Sequence, residues 1–144
     1  MEKVLVSACL IGNNCKYNGG NNRNEKIIEY LKDKEVILVC PEVMGGMSTP
    51  RIKSEIVLDS DKLTVMNEKG ADVTSYFIRG AEIALRRAIA NGVKVAILKE
   101  KSPSCGYKKI YDGKFNGTKV EGSGVFTRML LNKDIKILTE EDFI

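Results

Sequence analysis

The segment Lys3-Val4-Leu5-Val6-Ser7-Ala8-Cys9 decides the fold, because a short β-branched run gives way to small residues and then to a cysteine. The same pattern occurs twice more: Glu35-Val36-Ile37-Leu38-Val39-Cys40, and Val93 to Leu98 with a cysteine seven residues on at Cys105. Runs this apolar and this short, bounded by small or polar residues, read as strands buried on both faces of a parallel sheet. Between them lie helical patterns. Asn24 can cap a helix through Asp33, and Asp72 can cap a long one through about Ala90 that stops at Asn91-Gly92. Strand, helix, strand, helix, strand predicts an α/β protein: a Rossmann-like open sheet, mostly parallel, with helices on both faces.

Outward from that frame, Glu55 to Leu58 and Leu63 to Met66 flank Asp59-Ser60-Asp61-Lys62 and predict a small hairpin inserted at the periphery. Beyond Ser102-Pro103-Ser104-Cys105-Gly106 the chain is rich in turns, at Asp112-Gly113 and Asn116-Gly117, before a helix near Gly124 to Asn132 and a last strand, Ile135 to Leu138. With 144 residues, 43% of them hydrophobic, the chain is expected to form a single domain over residues 1–144 around one core.

Composition narrows the function. The apolar stretch near the start is interrupted by Ser7 and Gly12, which makes a poor signal peptide and is too short to span a bilayer, so a cytoplasmic protein without membrane contacts is expected. Disulfides are rare there, and four cysteines then point to metal, redox or nucleophilic chemistry, the bland alternative being small buried hydrophobes. There is no histidine, which excludes histidine metal sites and Ser/His or Cys/His pairs. A net charge of +4 is mildly basic, but the lysines are dispersed, aromatic residues amount to 6% and tryptophan is absent, so no stable nucleic-acid partner is expected. No phosphate-binding glycine motif occurs.

Cys9, Cys40 and Cys105 each come after the carboxyl end of an expected strand, and in an open α/β sheet those ends face one crevice. Three thiolates suit zinc or an iron–sulfur cluster. A closed zinc site without histidine would also need Cys15, yet the Cys9-x5-Cys15 spacing is wider than zinc knuckles use. A cubane held by three cysteines leaves one iron open, as a catalytic site requires. Arg51, Lys99, Lys101 and Lys108 could greet an anionic substrate or form a solvated rim.

The residues Val6-Ser7-Ala8-Cys9-Leu10-Ile11-Gly12, Cys15-Lys16-Tyr17-Asn18-Gly19-Gly20, Val39-Cys40-Pro41-Glu42-Val43, Thr49-Pro50-Arg51, Gly70-Ala71-Asp72-Val73-Thr74, Ser102-Pro103-Ser104-Cys105-Gly106 and Ile110-Tyr111-Asp112-Gly113 resemble the short thiouracil desulfidase family, once catalogued as a domain of unknown function. The resemblance implies a [4Fe–4S] cluster on Cys9, Cys40 and Cys105, with a catalytic carboxylate at Glu42 and hydroxyl at Ser102. It leaves Cys15, where longer relatives often carry an apolar residue, as the nonligand. The implied reaction is non-redox. A thiolated pyrimidine, as nucleobase or nucleoside, offers its soft sulfur to the open iron, water attacks the ring carbon, Glu42 accepts its proton, and uracil and hydrosulfide result. The competing reading from another class is a noncatalytic metal-binding or redox-sensing module using the same cysteines.

Overall fold

The computed structural model describes residues 1–144. Four strands, β1 (Lys3–Ser7), β2 (Glu35–Val39), β5 (Val95–Leu98) and β8 (Lys136–Thr139), form one sheet in the order β2-β1-β5-β8, and every neighbouring pair is parallel. The pleat explains why β1 is apolar throughout. Val4 and Val6 point to one face with Ile97, where Leu10, Ile27 and Leu31 cover them, while Leu5, Ala96 and Leu98 point to the other beneath Phe77, Ala81, Ala84 and Phe126. Burying each of the larger side chains contributes about 1.5–3 kcal/mol.

The first face is covered by α1 (Glu25–Tyr30), where Asn24 Oδ1 accepts a hydrogen bond of 3.1 Å from Ile27 N as its cap. The expected helix to Asp33 instead tightens into a 3₁₀ turn over Leu31–Asp33. The second face is covered by α3 (Thr74–Ala90) and α4 (Val125–Leu130). Asp72 accepts at 2.9 Å from Thr74 N, so its carboxylate caps α3 from two residues ahead. A helix of four residues, α2 (Pro41–Met44), had no sequence signal beyond Pro41 at its first position.

The inserted hairpin exists, but its placement corrects the expectation. Strands β3 (Ser54–Ile56) and β4 (Val65–Asn67) pair antiparallel, and Ile56 and Val65 are buried in the main core rather than lying at the periphery. Both are large and apolar, and the second face of the sheet is the place where they escape water. The stretch read as turns holds a second hairpin, β6 (Lys109–Tyr111) with β7 (Lys119–Glu121). Buried Glu55 ties the two hairpins together, accepting from Gly113 N at 2.9 Å and Phe115 N at 3.2 Å. No helix is long and apolar enough to cross a membrane.

The link from core to site is the crossing of α2 and α3. A Cβ on Gly80 would lie 1.7 Å from the Pro41 carbonyl oxygen and 2.9 Å from Gly45 N, so only glycine permits the approach. Gly80→Ala is therefore expected to lower unfolding stability by about 1–3 kcal/mol. A drop in the urea midpoint at constant slope would register it, and an unchanged midpoint would mean that the two helices do not meet this closely.

Candidate active site

Chain order makes β1 and β5 the neighbours at which the winding of the sheet reverses, since β1 leads to β2 on one side and β5 lies on the other. The crevice beyond the carboxyl ends at such a point is where open α/β sheets bind ligands. A cavity of about 390 Å³ opens there, and Cys9, Cys15, Cys40, Cys105, Glu42 and Ser102 all line it. Cys9 sits in the 3₁₀ turn Ala8–Ile11 directly after β1, and Cys40 is the residue between β2 and α2.

Cys105 is brought back to the crevice by a loop built around Glu100, whose side chain is almost wholly buried at 1% exposure. Glu100 Oε1 accepts from the backbone N–H groups of Tyr107 at 2.7 Å, Lys108 at 3.0 Å and Lys109 at 3.1 Å, so an otherwise unfavourable buried carboxylate organises the return of the chain. Within the loop, Ser102 Oγ accepts from Ser104 N at 3.1 Å and Cys105 N at 3.0 Å, which fixes the thiol's approach. Sequence reasoning missed Glu100. The only signal was a glutamate two residues beyond an apolar strand, in Val95-Ala96-Ile97-Leu98-Lys99-Glu100.

Electrostatics join the thiols. Burial pushes Cys105 up to about 12, and burial also raises Cys9, against which Asn22 donates a side-chain N–H to the sulfur at 3.4 Å. Loading metal onto such thiols expels their protons. Cys40 is lowered, first because the Cys15 thiol donates to its sulfur and further by the Val43 N–H, and the donor Cys15 is raised by the same bond.

Cys15, six positions beyond Cys9 in a Gly/Asn-rich loop, also reaches the cavity. Its carbonyl oxygen lies 3.8 Å from Cys40 Sγ and accepts from Arg51 Nη2 at 2.8 Å. Hydrogen bonds from Lys16 N to Gly20 O at 3.1 Å and from Asn22 N to Cys9 O at 2.9 Å hold the rest of that loop.

The acidic side of the cavity is equally organised. Glu42 Oε1 receives Arg51 Nε at 3.1 Å, and Oε2 receives Ser104 Oγ at 2.8 Å. Ser104 Oγ is in turn 2.9 Å from Ser102 Oγ. Arg51, with its side chain only 6% exposed, is committed to this carboxylate and to the Cys15 carbonyl and does not form a solvated rim. Lys99 pairs with Glu140 at 2.7 Å and Lys101 with Glu141 at 3.8 Å, both lysines on the cavity wall, whereas Lys108 lies over the Tyr107 ring outside it.

The donor set fits an iron–sulfur cluster. It is all thiol, on three separate loops that surround a space, and no three Cys, Asp or Glu side chains come close enough to share one metal ion. A single zinc would demand sulfurs converging to about 2.3 Å from one point. A cluster, whose irons are held individually by cysteines, requires ligands spread around it.

Residues 4–142 match the family model described as 2-thiouracil desulfurase. A Bacillus subtilis (strain 168) protein, described as uncharacterized protein YbbK, is 39% identical over 145 residues, covering 96% of each chain. Among solved structures, the [4Fe–4S]-dependent thiouracil desulfidase TudS (DUF523Vcz) superposes with a TM-score of 0.88 at 39% identity, covering 99% of this chain and 93% of that one.

Proposed function

The chain belongs to the 2-thiouracil desulfurase family, and on that premise we propose that it hydrolyses the C–S bond of 2- or 4-thiouracil to give uracil and sulfide. The protein is an enzyme, a [4Fe–4S]-dependent thiouracil desulfidase. Cys9, Cys40 and Cys105 are the proposed ligands, with Glu42 and Ser102 acting on the substrate. One observation carries the reading: a carboxylate and a hydroxyl, linked through Ser104, face the same cavity as the three strand-end thiols. A purely structural metal site has no use for them.

When bound, a cluster with one iron free of protein ligands supplies a soft Lewis acid for the thiocarbonyl sulfur. The chain's own groups do the rest. Glu42, held by Arg51 on one oxygen and Ser104 on the other, retains lone pairs on both with which to accept the proton of an attacking water. Its position one residue into α2 sets its distance from Cys40 and so from the reacting sulfur. The Ser102 hydroxyl offers its hydrogen to the ring oxygen or nitrogen as charge develops there. Water contributes oxygen to the ring carbon, sulfur leaves as hydrosulfide, and no electrons are gained or lost.

Protein reconstituted anaerobically and incubated with 2- or 4-thiouracil should release uracil and sulfide in equal amounts without added reductant. A cluster-loaded protein that binds thiouracil yet releases neither product would contradict the reading.

A further inference from the structure

We infer that Ser104 is a positioning residue of the reaction, holding the Glu42 carboxylate and the Ser102 hydroxyl in one directional chain; the inference rests on the catalytic roles proposed above for those two residues. The direction comes from counting donors. Ser104 Oγ lies 2.8 Å from Glu42 Oε2 and 2.9 Å from Ser102 Oγ, and a serine carries a single O–H. A carboxylate only accepts, so the hydrogen of Ser104 goes to Glu42, and Ser104 accepts from Ser102. The alternative acceptor, Cys105 Sγ, is farther, at 3.8 Å.

Ser102 Oγ already accepts two backbone N–H groups, those of Ser104 at 3.1 Å and Cys105 at 3.0 Å, which occupy its two lone pairs. Its oxygen is therefore fixed and its one free variable is the hydrogen, parked on Ser104 until a substrate atom claims it. Glu42 is fixed from two sides, by Arg51 on Oε1 and Ser104 on Oε2. Ser104 is 2% exposed, so its hydroxyl is screened from bulk solvent and its two hydrogen bonds are made within the protein. Removing that oxygen releases one side of the carboxylate and strands the Ser102 hydrogen together. Its place in the loop depends on none of this, since Ser104 O accepts from Phe126 N at 3.0 Å and Ser104 N donates to Ser102 Oγ through the backbone.

The test uses the reconstituted enzyme. Ser104→Ala should keep full iron and sulfide content and bind 2-thiouracil, monitored through the cluster's absorption, within twofold of the parent. Its single-turnover rate should fall by about 10- to 100-fold, the scale of a misplaced catalytic group. In a background carrying both Glu42→Gln and Ser102→Ala the same change should cost less than about threefold, because neither group is then left to be aimed. Loss of the cluster from Ser104→Ala, an undiminished rate, or a loss that multiplies fully onto the double variant would each overturn the inference and leave Ser104 as scaffold. Glu42→Gln and Ser102→Ala turning over at the parent rate would overturn the catalytic reading itself, a different result on different variants.

Discussion

Replacing Cys9, Cys40 or Cys105 singly with serine should abolish stable cluster binding, leaving anaerobically reconstituted protein with little iron or acid-labile sulfide and no visible charge-transfer absorption. Both chemistry and position lead to this. A neutral hydroxyl is a poor ligand for iron where a thiolate is a good one. Each thiol also stands on a loop leaving a different strand, so none of the three can take another's place: Cys9 in the turn after β1, Cys40 between β2 and α2, Cys105 on the Glu100 loop after β5. The fold should survive, because Cys9 and Cys40 are only part-buried and a serine at buried Cys105 has the Ser104 hydroxyl beside it as a hydrogen-bond partner. Far-ultraviolet circular dichroism should therefore remain that of the parent. Any of the three serine variants that retains a full complement of iron would remove that residue from the proposed ligand set.

Glu42→Gln should separate binding from turnover. Glutamine preserves volume and can still accept a hydrogen bond through its remaining carbonyl oxygen, so the variant is expected to keep its iron, its absorption and its affinity for thiouracil. It cannot take a proton from water. Loss of a general base typically costs about 10²–10⁴-fold in rate, and the fall should appear in kcat with KM little changed. A variant within a fewfold of the parent would assign Glu42 to holding Arg51, and with it the Cys15 loop, instead of to chemistry.

Much of this site was legible because parallel sheets impose a simple rule: residues just beyond a strand's carboxyl end face the crevice. Three cysteines placed after three apolar runs converge for that reason, and a cavity lies at their meeting point. Legibility failed where long-range pairing decides. Lys109-Ile110-Tyr111 is too short to announce itself as a strand, and it becomes one only because Lys119 to Glu121 lies beside it. The hairpin of β3 and β4 was visible as a hairpin, but whether Ile56 and Val65 would face water or Phe77 depended on how α3 packs.

At the site, the family resemblance attached roles to Glu42 and Ser102, while Arg51 read as a substrate-facing cation or a solvated rim and Ser104 carried no role. Their partners are nine and 62 positions away, at Glu42 in both cases, distances that no local pattern encodes. The position of Cys15 was out of reach for a related cause. A run of glycines and asparagines suggests slack, yet Arg51 reaches across 36 positions to its carbonyl and draws the thiol against Cys40.

That proximity makes Cys15 the residue on which the proposed reaction turns. The chemistry needs one iron without a protein ligand, and a fourth thiol lies close enough to contend for it. The direct measurement is iron and acid-labile sulfide per chain in Cys15→Ser, reconstituted anaerobically beside the parent and Cys40→Ser. With three ligands and an open iron, Cys15→Ser should hold as much as the parent while Cys40→Ser is nearly empty. If Cys15→Ser loses its iron as completely as Cys40→Ser does, the cluster has four protein ligands, no iron is left for the thiocarbonyl, and the proposed mechanism is wrong.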